Sequence, residues 1–196
     1  MFDIESAVME RYTAGAMDRQ EGLCCPVDYD PALLEGLPRE IIDKDYGCGD
    51  PSRYVRPGDV VLDLGSGAGK ICYMAARKTG LHGRVIGIDM NDEMLALARK
   101  YQPDMARKLG GDRVQFRKGH IQDLALDVEA MEHYLIANPV TDAKGLAALY
   151  VWQDKQRRSK PLVPDASVDL VVSNCVLNLV GDDHKKQLVR EVFRVL

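Results

Sequence analysis

Val60-Val61-Leu62-Asp63-Leu64-Gly65-Ser66-Gly67-Ala68-Gly69-Lys70 is an apolar run that breaks into a glycine loop just where helical spacing begins. Glycines at alternate positions let a backbone turn tightly and approach a ligand where a side chain would clash, so the stretch reads as a strand, a cofactor-binding turn and a helix start. The spacing narrows the ligand. A dinucleotide fingerprint needs Gly or Ala at position 70, but Lys70 stands there and the third glycine comes one residue early, at Gly69. A phosphate-cradling G-x-x-x-x-G-K-[ST] loop would need glycine at Leu64 and a hydroxyl at Ile71, and has neither. What remains is D-x-G-x-G-x-G, headed by Asp63.

Helical spacing over residues 71–78 leads through Gly80 and Gly83 to a second apolar run, Arg84-Val85-Ile86-Gly87-Ile88-Asp89-Met90. An acid closing this second strand suits a diol, because one carboxylate can accept from both hydroxyls of a ribose. The competing reading makes Asp89 only the start of the next helix, with Asn91-Asp92-Glu93 following. The unbroken order of strand, loop, helix, strand and acid favours a ligand role. This pattern resembles motif I and the second strand of the class I S-adenosylmethionine (SAM) methyltransferases, in which the loop packs against the methionine and adenosyl portions of SAM. The resemblance implies an α/β, doubly wound Rossmann-like fold.

Composition fits a single catalytic unit. At 196 residues the chain can bury a core without staples, and a net charge of −4 with no dense basic run gives no case for nucleic acid or a membrane surface as partner. Polar residues interrupt every long apolar stretch, so no transmembrane helix is expected. The start, Met1-Phe2-Asp3-Ile4-Glu5, is acidic where a secretory signal is basic, which predicts a cytoplasmic protein. Five cysteines in a reducing compartment read as reactive or ligating thiols, or as small buried apolar residues, rather than as a disulfide scaffold.

Along the rest of the chain, Met94, Leu95, Ala98 and Met105 predict a helix over 91–108 that Pro103 kinks or splits. A third strand is expected at 113–117. Its outlet, Lys118-Gly119-His120-Ile121-Gln122-Asp123, lies where class I methyltransferases place residues beside adenine; His120 by itself reads as a solvated loop histidine. A fourth strand over 168–173 ends at Asn174-Cys175. The last helix, 183–196, has a predicted apolar face of Leu188, Val189, Val192, Phe193 and Leu196, with Asp182 or Asp183 as cap. Between strands three and four, residues 124–167 exceed what a crossover needs. Two helices are predicted in that insertion, one over 128–137 and a second capped by Thr141 that carries Leu146, Leu149, Tyr150 and Trp152 before the polar run 153–160. A surface helical hairpin is favoured there over a lid or partner contact.

Three cysteine-bearing segments narrow the resemblance. Leu23-Cys24-Cys25, Asp45-Tyr46-Gly47-Cys48-Gly49 and Ser173-Asn174-Cys175-Val176-Leu177-Asn178-Leu179-Val180 resemble corresponding segments of the arsenite methyltransferases, as does the Cys72-Tyr73 pair. The likeness runs from about residue 24 to the end of the chain. It divides the chain into an N-terminal cap segment, 1–57, and a SAM-binding domain, 58–196. By this resemblance Cys48 and Cys175 ligate arsenic as substrate, and Cys24 and Cys25 relay arsenic or exchange disulfides with a thiol reductant such as thioredoxin or glutathione. Cys72 reads instead as a buried structural thiol. For SAM, the resemblance implies that Tyr46 lies against the cofactor and that Gly65, Gly67 and Gly69 with Asp63 form the cradle. Asp89 holds the ribose, Met90, Ile121 and Gln122 flank adenine, and Asn174 completes the cofactor contacts. Two departures stand out: Lys70-Ile71 where the family commonly has Arg-Asp, which removes one expected polar contact to cofactor or cap, and Gln122 in place of a common Glu. The chain also stops at Arg194-Val195-Leu196, so the C-terminal strands of the fold and the remaining family cysteine are expected to be lacking.

The thiol chemistry follows without the family. Trivalent arsenic is soft and prefers thiolate to oxygen ligands. Two or three thiolates leave its lone pair free to attack a methyl group, so no general base is needed, and none stands out near Asn174. Two alternatives stay open: methylation of an organic small molecule, indifferent to Cys48 and Cys175, and a non-catalytic thiol module that binds arsenic or metal. No Cys-x-x-Cys or His/Cys spacing supports structural zinc.

Overall fold

The computed structural model describes Thr13, Gly15, residues 27–177 and residues 180–196. Cys24, Cys25, Asn178 and Leu179 lie outside the described residues. Valine- and leucine-rich segments pair into a parallel sheet: β1 (Val60–Leu64), β2 (Arg84–Asp89), β3 (Val114–Lys118) and β4 (Leu170–Ser173), in the order β3-β2-β1-β4. Strand order reverses beside β1, and in such sheets the crevice beyond the strand C-termini at the reversal is where ligands bind. Asp63 pairs with Gly87, and Asp89 with Lys118.

Eight α-helices are described: α1 (Pro31–Leu34), α2 (Arg39–Asp43), α3 (Lys70–Thr79), α4 (Asp92–Lys100), α5 (Gln102–Leu109), α6 (Val128–Ala137), α7 (Ala143–Ser159) and α8 (Asp182–Val195). Side chains alternate across the sheet, so each face has its own core. Val61, Val85, Val114 and Phe116 pack with Ile71, Met74, Leu95 and Met105 from α3 to α5. Leu62, Leu64, Ile86 and Ile88 pack on the other face with Leu124, Val163, Val168 and Val195. This is the doubly wound arrangement expected.

The two βαβ units stand where the sequence puts them, and Pro103 splits 91–108 as expected, lying in the first turn of α5. β3 runs one residue later than predicted and β4 starts at Leu170. Three end details differ. Neither Asp182 nor Asp183 caps α8: Gly181 is the N-cap, and the aspartates lie in the first turn, where they complement the helix dipole. The inward stripe of α8 is buried Leu188 and Val195 with partly buried Val192, whereas Val189, Phe193 and Leu196 face outward. Asp142, not Thr141, caps α7, through a 2.7 Å bond from Gly145 N, and the helix continues through the polar run to Ser159.

The insertion is two helices, as predicted. Tyr134 and Trp152 stack at 4.7 Å, while α7 buries no residue. It is tied down by charge: Lys118 Nζ bonds Glu132 (2.6 Å) and Asp92 (2.7 Å), and Arg157 pairs with Asp123 at 3.0 Å. Among the described residues no helix is long and apolar enough to cross a membrane.

Candidate cofactor and thiol site

The glycine loop turns off β1 by donating Gly65 N and Ser66 N to Ile88 O, at 2.8 and 3.0 Å. Gly65 has φ +74°, and a Cβ there would lie 2.5 Å from Val176 Cγ1, so both conformation and space demand glycine. Gly67, at φ +51°, has open space where a Cβ would sit, and its N–H donates to Asp89 Oδ2 at 2.8 Å. Asp89 Oδ1 accepts from Asn91 N at 2.9 Å. The cap of α4 is Asn91, whose Oδ1 accepts from Met94 N, so Asp89 is not the helix cap. Burial raises the Asp89 carboxyl above its usual range, opposed by the N–H groups of Asn91, Gly67 and Met90.

Asp63, 2% exposed, projects from β1 beneath the loop. Its Oδ2 accepts from Cys72 Sγ at 3.3 Å, while Oδ1 has no partner among the described residues. Burial is the main reason its carboxyl is pushed up to about 7; the Cys72 bond opposes that shift, and Asp45 and Asp89 add to it. Ser66 Oγ is likewise buried without a described partner.

Across the cleft stands the segment after α2. Tyr46 is buried and donates its hydroxyl to Gly15 O at 2.9 Å. The Asn174 amide accepts from Cys48 N at 3.0 Å and donates to Gly49 O at 2.8 Å. Cys175 Sγ lies 3.1 Å from Cys48 N, so two cysteines 127 residues apart meet, and both are exposed. A Cβ on Gly47 would overlap the Asn174 amide nitrogen. Cys175 itself has φ +64°, a left-handed conformation unusual for a side-chain-bearing residue. Lys70, in place of the family's arginine, keeps a contact with the cap: its Nζ pairs with Asp45 at 2.5 Å and sits 3.7 Å over the Tyr29 ring.

One cleft gathers most of the sequence-predicted residues: Tyr46, Asp63, Gly65, Gly67, Asp89, Met90, Ile121, Gln122 and Asn174 line it. Gly69 stands behind the loop instead, where a Cβ would lie 2.5 Å from Phe116. His120, read from sequence as a solvated loop residue, also lines the cleft. Sequence reading passed over Asp45, Ser66, Met94 and Val176, which line it too. Of these, Asp45, Ser66 and Val176 lay inside motifs that could have flagged them, whereas Met94 read only as part of a helix's apolar face. Cys48 and Cys175 are the neighbours of two lining residues, Gly47 and Asn174.

Comparison with known proteins gives this geometry its family. A family model described as a methyltransferase domain matches residues 56–147. An arsenite methyltransferase of Aquipseudomonas alcaligenes is 33% identical over 91% of this chain and 42% of its own length. One from Halobacterium salinarum is 33% identical over 79% of this chain and 29% of its own. The crystal structure of an arsenic(III) S-adenosylmethionine methyltransferase from Chlamydomonas reinhardtii superposes with a TM-score of 0.62 at 32% identity, covering 88% of this chain and 46% of that one. The chain thus spans less than half the length of these relatives. Motif, fold and relatives together place the chain in the class I S-adenosylmethionine-dependent methyltransferases, with arsenite methyltransferases among its relatives.

Proposed function

We propose that this chain supplies the cofactor site and two of the thiols of an enzyme that methylates trivalent arsenic. The residues present fit SAM. Gly67 leaves open space over the loop, Asp63 Oδ1 and Ser66 Oγ are buried polar atoms awaiting partners, and Ile71, Met90, Met94 and Ile121 give the cleft apolar walls. Asp89 would take the ribose hydroxyls by exchanging its Gly67 bond for them. When bound, SAM supplies an electrophilic methyl group on a sulfonium.

The observation that carries the substrate is the meeting of Cys48 and Cys175 beside this cleft. As thiolates they would hold arsenic(III) by soft–soft bonding and leave its lone pair as nucleophile, so the protein's task is positioning, worth about 7–11 kcal/mol where geometry is well fixed. Methylation formally oxidises arsenic. A thiol reductant such as thioredoxin or glutathione, acting through Cys24 and Cys25, would return it to the trivalent state. The test is product speciation after incubating the full-length protein with labelled SAM and arsenite. Cys48→Ser and Cys175→Ser should each abolish methylarsenicals while calorimetric SAM binding persists. Parental turnover in both variants would instead favour an organic substrate, and SAM binding without any methyl transfer would favour a binding module.

A further inference from the structure

The cofactor cleft rests on a buried pair that the arsenic chemistry does not use. Cys72 is fully buried in the first turn of α3, and its thiol reaches Asp63 Oδ2. The room for that thiol comes from β2. Gly87 is the cross-strand partner of Asp63, and a Cβ there would lie 2.9 Å from Cys72 Sγ and 2.8 Å from Ser66 Oγ. The missing side chain at Gly87 therefore leaves a slot that the sulfur fills, which fixes its rotamer under the loop. A sulfur so placed can donate to only one oxygen of Asp63. The other, Oδ1, is left as a buried acceptor without a described partner in a cleft-lining residue.

We propose that Cys72 is a positioning residue for the cofactor: its S–H holds Asp63 Oδ2, so that Oδ1 is presented to the α-ammonium group of the methionine moiety of SAM. This rests on the SAM assignment above. A carboxylate oriented in advance loses no rotational freedom when the cation arrives, and an ammonium is the cofactor group that both donates a hydrogen bond and neutralises a buried carboxylate. The charged groups around Asp63 set the pH response. Asp45, from the segment after α2, and Asp89, from β2, oppose its ionisation, while Lys70 of α3 neutralises Asp45. The Cys72 bond favours ionisation, so deleting it should raise the pH at which Asp63 becomes a carboxylate.

Two ligands separate this role from a packing role: S-adenosylhomocysteine, which keeps the ammonium, and 5′-methylthioadenosine, which lacks it. Cys72→Ala should weaken S-adenosylhomocysteine about ten-fold, leave methylthioadenosine within about two-fold, and move the midpoint of the pH profile of S-adenosylhomocysteine binding upward. Cys72→Ser, which keeps a donor, should restore both affinity and midpoint. In the unmodified protein, the S–H stretching band of the deuteration-resistant buried thiol should move to lower frequency on adding S-adenosylhomocysteine and stay put with methylthioadenosine. Equal weakening of the two ligands, an unmoved pH midpoint, or an S–H band indifferent to either ligand would each overturn the role of Cys72. Failure of the unmodified protein to bind either ligand would overturn the cofactor assignment and the positioning role with it.

Discussion

Asn174 and Cys48 are locked together: the side-chain oxygen of Asn174 accepts the Cys48 N–H while its amide nitrogen donates to Gly49 O. The residue before one cysteine thus holds the backbone of the other. Asn174→Ala should cost about 0.5–1.5 kcal/mol in stability for each of the two hydrogen bonds lost, one partly buried and one exposed, and on the proposed function should weaken arsenic(III) capture more than SAM binding. Gly47→Ala should act through the same contact, since its methyl would displace the Asn174 amide. The two changes should be strongly non-additive. A thermal-denaturation double-mutant cycle with strictly additive losses would show that Gly47 and Asn174 do not interlock.

The left-handed conformation of Cys175 gives a second test. Residues with a Cβ are strained there by about 1–2 kcal/mol, and β-branched ones more. Cys175→Gly should therefore be at least as stable as the parent although it loses the thiol, whereas Cys175→Val should be less stable by about 1–2 kcal/mol. Melting temperatures of the two variants decide it, and the reverse order would mean that Cys175 is not held at positive φ.

Local signals were enough for β1, β2, the Pro103 break and α6, because each is written in a continuous run: apolar residues between turn glycines, a proline inside a helical period, an aspartate before one. The cysteine pair and the acid of β2 were legible because they sit in compact motifs. What escaped depends on contacts between distant segments. Nothing near Asn174 says that its amide spans Cys48 and Gly49. Lys70 looked like the loss of a family contact until Asp45 met it from the cap. Two apolar stripes run along α8, and only docking on the sheet decides that Leu188 and Val195 are buried while Phe193 is not.

Two carboxyls with opposite shifts predict opposite pH responses. Asp63 rises from 3.8 to about 7, chiefly by burial, so between those values the folded protein keeps a proton that the unfolded chain has lost, and stability falls as pH rises. The melting temperature of Asp63→Asn should therefore improve relative to the parent from pH 4 to pH 8. Glu40 is held down to about 2 from 4.5 by bonds from Lys100, Tyr101 and Lys44. Its contribution is present above pH 4.5 and lost as pH falls through about 2. Glu40→Gln should be less stable than the parent at neutral pH, with the gap closing on acidification. A pH-independent offset for either variant would mean that the carboxyl does not titrate differently in the folded and unfolded chains.

The Lys70–Asp45 pair ties the cap to the start of α3, and its burial fixes what each substitution should do. Lys70 and Asp45 side chains are only 5% and 12% exposed, so removing one partner strands the other charge away from water. Lys70→Met should cost about 3–5 kcal/mol, because Asp45 remains buried and the ammonium over the Tyr29 ring is lost. Lys70→Met combined with Asp45→Asn should recover much of that loss, since replacing both charges removes the stranded one. Chemical denaturation of the single and double variants measures the coupling. Because Asp45 also lines the cofactor cleft next to Tyr46, the single Lys70→Met variant should bind SAM more weakly and the double variant should regain part of the affinity. If the double variant is as unstable as the sum of the singles, the pair is not a coupled buried contact.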